Sequence, residues 1–378
     1  MNILILTHSY PDMNHKWRGI FIKEQARALS IKHNIIVVYF KVDYSHFAPF
    51  SKYAFLKKTD EKVTVYEVTV CKSFPVITQL KYLSNTFRFL KNEIFTRNHI
   101  DIVHSHLSYP AGFLGTILQK IKGIPNVLTE HSTIKLYSRS FLHKLCVNYT
   151  LRNASCIVPV SNSLKEEISS QCHRQLNVIH NIVDTEMFDL AKSKEGQIIN
   201  IGFLGGLNNT NKGLDLLLKS VSMLERKRFF LHIGGNGILL DSFKAMVKAS
   251  GIEADCKFYG EIFRSDIAHF YTGLDIFVLP SRYETFGIVL VEAMACGIPV
   301  IATKCGGPQD IVTPSTGMLI EKDDPEVLAK AIRTMSENLR SYDKEAIRRY
   351  ASEKFGRSVF IDKMTKVYQD ILTRYSNG

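Results

Sequence analysis

Between Leu279 and Gly307 the chain reads LPSRYETFGIVLVEAMACGIPVIATKCGG, and no other stretch limits the possible folds so strongly. The run Asp275 to Pro280 predicts a buried strand, because a short apolar segment ends at Pro and Ser. A helix opens near Phe286 and Gly287, passes through Glu292 and stops at Gly297, with Pro299 just beyond. Pro299 to Thr303 predicts a second buried strand, which ends in a Gly306-Gly307 turn. Strand, helix and strand in that order make a unit of a parallel sheet. Loops at the carboxyl ends of such strands are where ligands bind.

The backbone N–H groups of Phe286, Gly287 and Ile288 have no acceptor inside the helix, which suits an anion such as a pyrophosphate. Two carboxylates, Glu284 and Glu292, bracket that point. Glu292 lies more than one turn inside the helix, so the two cannot work as an adjacent acid–base pair. They suit two grips on one extended ligand with hydroxyls at both ends: ribose, pyrophosphate, sugar. On spacing alone the plainer reading, one solvated Glu and one helix-face Glu, is the better one.

With 378 residues the chain is too long for one ordinary domain, and its 45% hydrophobic and 22% charged residues suit a globular protein. No apolar run approaches the roughly eighteen residues that span a bilayer. The opening MNILIL predicts a buried strand and lacks the basic region and cleavage site of a signal peptide, so a cytoplasmic protein is expected. Seven Cys without a C-x2-C pair fit reduced packing residues, Cys296 and Cys305 among them. The net charge of +12 is unevenly spread: residues 1–182 carry 23 Lys/Arg against 11 Asp/Glu, whereas residues 183–378 carry 25 of each. A basic first half suggests an anionic partner, a membrane surface or an anionic acceptor. Nucleic acid ranks low, because no helix-turn-helix, zinc-finger or RNP-type signature is present.

Strands and helices alternate along the whole chain. Strands are expected at 2–7, 35–40, 63–68, 101–105 and 126–129, with helices at 19–30, 79–98 and 111–122, and the pattern runs on to Leu176–Ile179. The polar segment Asp184 to Gln197 reads as a linker. Alternation restarts at Ile198–Gly205 and continues through Leu231–Gly235 and Cys256–Gly260. The expected class is α/β: two Rossmann-like parallel-sheet domains, 1–182 and 183–356, with the ligand cleft between their sheet edges. A last helix at 357–378 carries an apolar stripe of Val359, Met364, Val367 and Ile371. Two basic, aromatic stretches, Tyr44 to Lys58 and Lys81 to Lys91, suit an interfacial membrane surface, or equally core aromatics with solvating lysines.

Several smaller motifs end strands. GFLGGLNNTNKG, residues 202–213, is a Gly-rich turn in which Gly205 and Gly206 let backbone approach phosphate; Lys212 adds a point charge. A solvated Lys at a helix start is the commoner case. His104 and His106 end one strand, and no third ligand lies near this H-x-H pair in the sequence, so no metal is implied; His131 ends another strand. Ser161 or Ser163 caps one helix and Asp324 another. Thr7 to Gly19 lacks the G-x-G-x-x-G of a dinucleotide-dependent oxidoreductase.

The block PS-x2-E-x-FG-x3-VEAMA-x-G-x-PV-x-AT-x2-GG, with its E-x7-E pair, resembles the signature of the retaining glycosyltransferases of family four, which have the GT-B fold. The resemblance implies sugar transfer from a nucleotide diphosphate to a glycan or lipid-linked acceptor in surface polysaccharide synthesis, on the cytoplasmic face of a membrane. No cofactor or metal is implied. Glu284 would hold donor-sugar hydroxyls and Glu292 the ribose, while Lys212 and the amides at Phe286, Gly287 and Ile288 would hold the diphosphate. Gly205, Gly206 and Lys212 resemble the family's GR…KG motif, with Gly206 in place of the Arg. YPDMNHKWRGIFIKEQARAL resembles the N-terminal glycine loop, in which Gly19 nears the donor phosphate; a simple helix-start glycine is the alternative. Arg18 is a candidate for the missing charge and for acceptor contact. His106 would line the reaction centre, His131 would touch acceptor, and Asn181 matches a hinge motif. The final helix would cross back to the first domain. A nucleotide-sugar 2-epimerase on the same fold is the alternative activity.

Overall fold

The computed structural model describes residues 1–12, 15–47, 53–72, 75–134, 141–191 and 198–376. The chain divides into two compact units, Met1–Ile182 with Phe360–Gly378, and Val183–Val359.

The first unit is built on β1 (Asn2–Thr7), β2 (Asn34–Phe47), β3 (Ala54–Asp60), β4 (Val63–Lys72), β5 (Ile102–His106), β6 (Asn126–Glu130) and β7 (Cys156–Pro159). Their order is β3-β4-β2-β1-β5-β6-β7; β3 runs antiparallel to β4 and the other pairs are parallel. The two-residue period of β1 decides its packing. Ile3 and Ile5 enter one core with Ile22, Ala26 and Leu29 of the helix Ile20–Leu29. Leu4 and Leu6 enter the opposite core with Phe89 and Leu118. Both faces are therefore covered, as a parallel sheet requires. The last helix, Arg357–Ser376, packs Phe360, Ile361, Met364, Val367, Tyr368 and Ile371 into the first of these cores. Val359 is only half-buried, so Phe360 leads the stripe.

Two expectations for this unit need correction. Leu176–Ile179 forms no strand: it runs past the end of β7, where the Ile179 N–H donates to Pro159 O at 3.1 Å. The helix expected at 79–98 begins at Pro75 and ends at Phe89, followed by a wider π-type turn over Leu90–Ile94. Within Tyr44 to Lys58, residues 48–52 lie outside the described residues, and 54–60 form the edge strand β3. Its Lys58 pairs with Glu67 at 2.7 Å, and its Phe55 ring lies 5.1 Å from Phe89. Lysines on an edge strand discourage pairing with another chain.

The second unit holds β8 (Ile199–Leu204), β9 (Phe229–Gly234), β10 (Cys256–Gly260), β11 (Ile276–Leu279), β12 (Val300–Thr303) and β13 (Gly317–Ile320). All run parallel in the order β10-β9-β8-β11-β12-β13. Apolar residues of the helices Leu214–Ser222, Leu240–Ala249 and Pro325–Glu337 close the core over Ile201, Phe203, Leu231 and Val278. Asp324 caps the last of these by accepting from Glu326 and Val327 N–H, and Ser161 caps the helix Asn162–Ser169. The segment expected as a linker is tied down where it is described: Arg348 donates to the carbonyls of Thr185 and Phe188. Residues 192–197 lie outside the described residues. No described helix is long and apolar enough to cross a membrane.

In each sheet the strand order reverses once, beside β1 and β5 in the first unit and beside β8 and β11 in the second. The loops that leave the carboxyl ends of these strands part there and open a crevice.

Candidate active site

The crevice of the second unit is shaped by glycines. Gly213 has φ +74°, and a Cβ on it would stand 1.9 Å from Pro280 O, so the loop after β8 lies directly on the loop after β11. The two are laced further by Asn211, whose Nδ2 donates to Tyr283 O at 3.0 Å and whose carbonyl accepts from Arg282 N–H at 2.8 Å. Arg282 reinforces this seam through both oxygens of Asp215, at 2.9 and 2.8 Å, and through Asp323 at 2.7 Å. Its charge is thus committed to structure. At Gly205 an added Cβ would come 3.3 Å from Lys212 Cγ, so the glycine leaves room for the Lys212 stem. An added Cβ at Gly206 would meet nothing within 4 Å.

Lys212 and Glu284 meet across this seam, Nζ to Oε2 at 2.5 Å, with side chains 33% and 11% exposed. The Glu284 backbone is pinned on both sides: its N–H donates to Cys305 O at 3.2 Å and its carbonyl accepts from Gly307 N–H at 2.7 Å. Just beyond it, Gly287 (φ 101°, ψ 52°) opens the helix Ile288–Ala295 with no side-chain cap. Phe286 contributes backbone only, because its ring is buried against Phe355 at 5.7 Å. An uncapped helix start with a lysine beside it attracts negative charge.

Glu292 is neither solvated nor free. It is 4% exposed; Oε1 accepts from Arg264 Nη1 at 2.6 Å and Oε2 from Tyr271 O–H at 3.0 Å. Arg264 and Tyr271 were not singled out in the sequence. Each acid of the E-x7-E pair therefore carries one cation, Lys212 on the first and Arg264 on the second.

In the first unit Gly19 (φ +67°) starts the helix Ile20–Leu29, and a Cβ there would stand 2.2 Å from Ser9 O, which makes glycine obligatory. Arg18 beside it is exposed. Residues 13 and 14 of this loop lie outside the described residues. Phe21, two residues on, packs its ring 4.4 Å from that of His131. His106 ends β5, and its Nδ1 lies 2.9 Å from Nε2 of His131. Both imidazoles are buried. Burial, with His104 nearby, pushes the His131 pKa down to about 3, and burial with His104 and His131 holds His106 well below its ordinary value. Both are neutral at physiological pH. His106 Nε2 has no partner among the described residues.

A residue absent from the sequence reading organises this corner. Glu130, fully buried at the end of β6, accepts from Ser108 N–H at 2.7 Å and from His131 and Ser132 N–H at 3.0 and 2.9 Å. It ties the loop after β5 to the loop after β6. Its proximity to His131 in LTEHST was the only available signal. Asn181, expected at a hinge, accepts from Gln25 Nε2 at 2.9 Å.

The sequence matches two family descriptions: Glycosyltransferase Family 4 over residues 19–187 and Glycosyl transferases group 1 over residues 184–354. An uncharacterised glycosyltransferase of Methanocaldococcus jannaschii is 30% identical over 315 residues, 82% of this chain and 86% of the relative. Among solved structures, sucrose-phosphate synthase of Thermosynechococcus elongatus is similar with a TM-score of 0.77 at 18% identity, over 99% of each chain. HepE of Anabaena, in complex with UDP and glucose, is similar with a TM-score of 0.76 at 20% identity, over 98% of this chain and 99% of that one. The chain is a glycosyltransferase of the family-four type, and its two Rossmann-like units are those of the GT-B fold.

Proposed function

We propose that the protein transfers a hexose from a nucleoside diphosphate to a hydroxyl of a glycan or lipid-linked acceptor, with retention at the anomeric carbon and without a metal, in surface polysaccharide synthesis. The observation that carries this reading is the Lys212–Glu284 pair beside the uncapped start of Ile288–Ala295. The diphosphate lies against the amides of Gly287 and Ile288 and draws Lys212 from Glu284. Glu284 then accepts from hydroxyls of the donor sugar, and Glu292 from those of the ribose. Positive charge fixed where the leaving oxygen becomes negative lowers the barrier directly. The C1–O bond to phosphate breaks, the acceptor oxygen bonds C1 on the same face, and its proton passes to the departing diphosphate. His106, neutral and with an unused Nε2, takes a substrate hydroxyl; Arg18 and His131 serve the acceptor side. A uridine diphosphate hexose is the first donor to test, in line with HepE, a neighbour in fold that was solved with UDP and glucose.

A thermal-shift screen with UDP, GDP, ADP and UDP-glucose tests the reading. One diphosphate should raise Tm, since a ligand at a hundred times its Kd stabilises the folded state by about 2.7 kcal/mol. Lys212→Met should abolish the shift and slow transfer by roughly 100- to 1000-fold. No shift with any nucleotide, or full transfer rates in Lys212→Met and Glu284→Gln, would refute it.

A further inference from the structure

We propose that Arg264 is the second cation of the donor site and meets the diphosphate charge for which Gly206 offers no side chain. The assignment deepens the reading above and rests on it. A nucleoside diphosphate brings two to three negative charges, whereas one lysine and a helix start, worth roughly half a charge, answer about one and a half. Arg282 is held by Asp215 and Asp323. Arg264 follows β10 in sequence and stands on Glu292, one turn inside the helix whose start faces the phosphates.

Its bonding leaves it available. A guanidinium has five N–H groups. Arg264 places Nη1 on Glu292 at 2.6 Å and Nη2 on the weak acceptor Met187 Sδ at 3.8 Å, and its buried Nε has no partner among the described residues. The Phe188 ring, 5.6 Å from its Cζ, gives the planar group a surface to turn on. When ribose hydroxyls donate to Glu292, they share the carboxylate with Arg264 and with Tyr271 O–H. The guanidinium can then turn its fork to a phosphate, exchanging one anion for another with no net burial of charge. Lys212 makes the same exchange at Glu284.

Calorimetric titration with UDP, GDP and ADP, each against its nucleoside, in Arg264→Gln, Arg264→Lys and Arg18→Ala decides the matter. Arg264→Gln should weaken the bound diphosphate roughly 10- to 100-fold, leave the nucleoside unchanged and flatten the salt dependence. Arg264→Lys should recover much of the loss. Equal weakening of nucleoside and diphosphate would overturn the assignment, because Arg264 would then serve ribose or base, or merely support Glu292. So would loss of the diphosphate preference in Arg18→Ala with none in Arg264→Gln. If Arg264→Gln does not fold, Glu292→Gln replaces it: by releasing Arg264 it should raise the diphosphate-to-nucleoside affinity ratio, and a fall overturns the proposal. Failure of the unaltered protein to bind any of the three diphosphates would instead overturn the donor reading itself, and this assignment with it.

Discussion

Gly213 and Gly206 belong to one loop and obey different constraints. At Gly213 the backbone is left-handed and a methyl group would collide with Pro280 O at 1.9 Å, so Gly213→Ala must push apart the loops that bring Lys212 to Glu284. Strained positions of this kind cost about 1–3 kcal/mol each. Gly206 faces open space, so Gly206→Ala should stay within about 0.5 kcal/mol. Thermal melting of the two variants checks this, and equal losses would show that the two loops do not need their close approach. Which residues could be read from sequence follows the same logic of distance. Glu284, Gly287 and Glu292 lie within one strand–loop–helix, so the element that carries them was legible locally, whereas their roles rested on the resemblance of the whole block. Arg264 meets Glu292 across 28 positions and Glu130 meets Ser108 across 22, separations set by strand register that no local pattern displays.

At the scale of elements, the carboxyl ends of β5 and β6 gather buried titratable groups of the first unit. His104 is fully buried between Thr129 Oγ1 and Tyr368 O–H, at 2.8 and 2.7 Å, and burial lowers its pKa to about 3. His131 is lowered likewise. In the unfolded chain each takes up a proton near its ordinary value of about 6.5. The stability they allow is therefore complete above about pH 6.5 and falls as pH drops from there toward 3, by up to roughly 1.4 kcal/mol per unit and per group. Glu130 acts in the opposite sense: burial raises its pKa, so it favours the fold at low pH and loses that contribution as pH rises above the ordinary carboxyl range. Tm should thus decline steadily between pH 7 and 4.5, and His104→Gln, less stable at neutral pH, should show a shallower decline. A parallel decline in wild type and variant would remove His104 as a cause. Strand alternation was legible because strands such as β1 and β11 are short apolar runs between polar loops. The edge strand β3 was not, because its exposed lysines and aromatics resemble an interfacial stretch as closely as a strand.

At the scale of the whole chain, the excess of positive charge lies entirely in residues 1–182, and the structure shows where apolar surface accompanies it. Phe141, Leu142 and Leu145 are exposed on the helix Phe141–Asn153. Beside them an open groove of about 640 Å³ is lined by Phe113, Ile117, Leu145 and Tyr149, with Asn148 and Arg152 among its polar residues. Lys120, Lys122, Lys144 and Arg152, all exposed, lie on the same helix or on Phe113–Lys122. Exposed apolar side chains among cations are what an anionic lipid surface recognises, each cation near the surface adding about 1 kcal/mol. A lipid-linked acceptor would then be met on the surface that carries it. The protein should co-sediment with phosphatidylglycerol-rich vesicles at low salt and remain in solution with phosphatidylcholine alone. High salt should release it, because the charge contribution is screened while the apolar one is not. Lys144→Glu should weaken the salt-sensitive part, and Leu145→Glu should weaken binding at every salt concentration. If the unaltered protein ignores anionic vesicles, or binds them undiminished with both substitutions in place, the charge asymmetry serves a soluble acceptor instead, and sugar transfer to an anionic oligosaccharide becomes the reaction to assay.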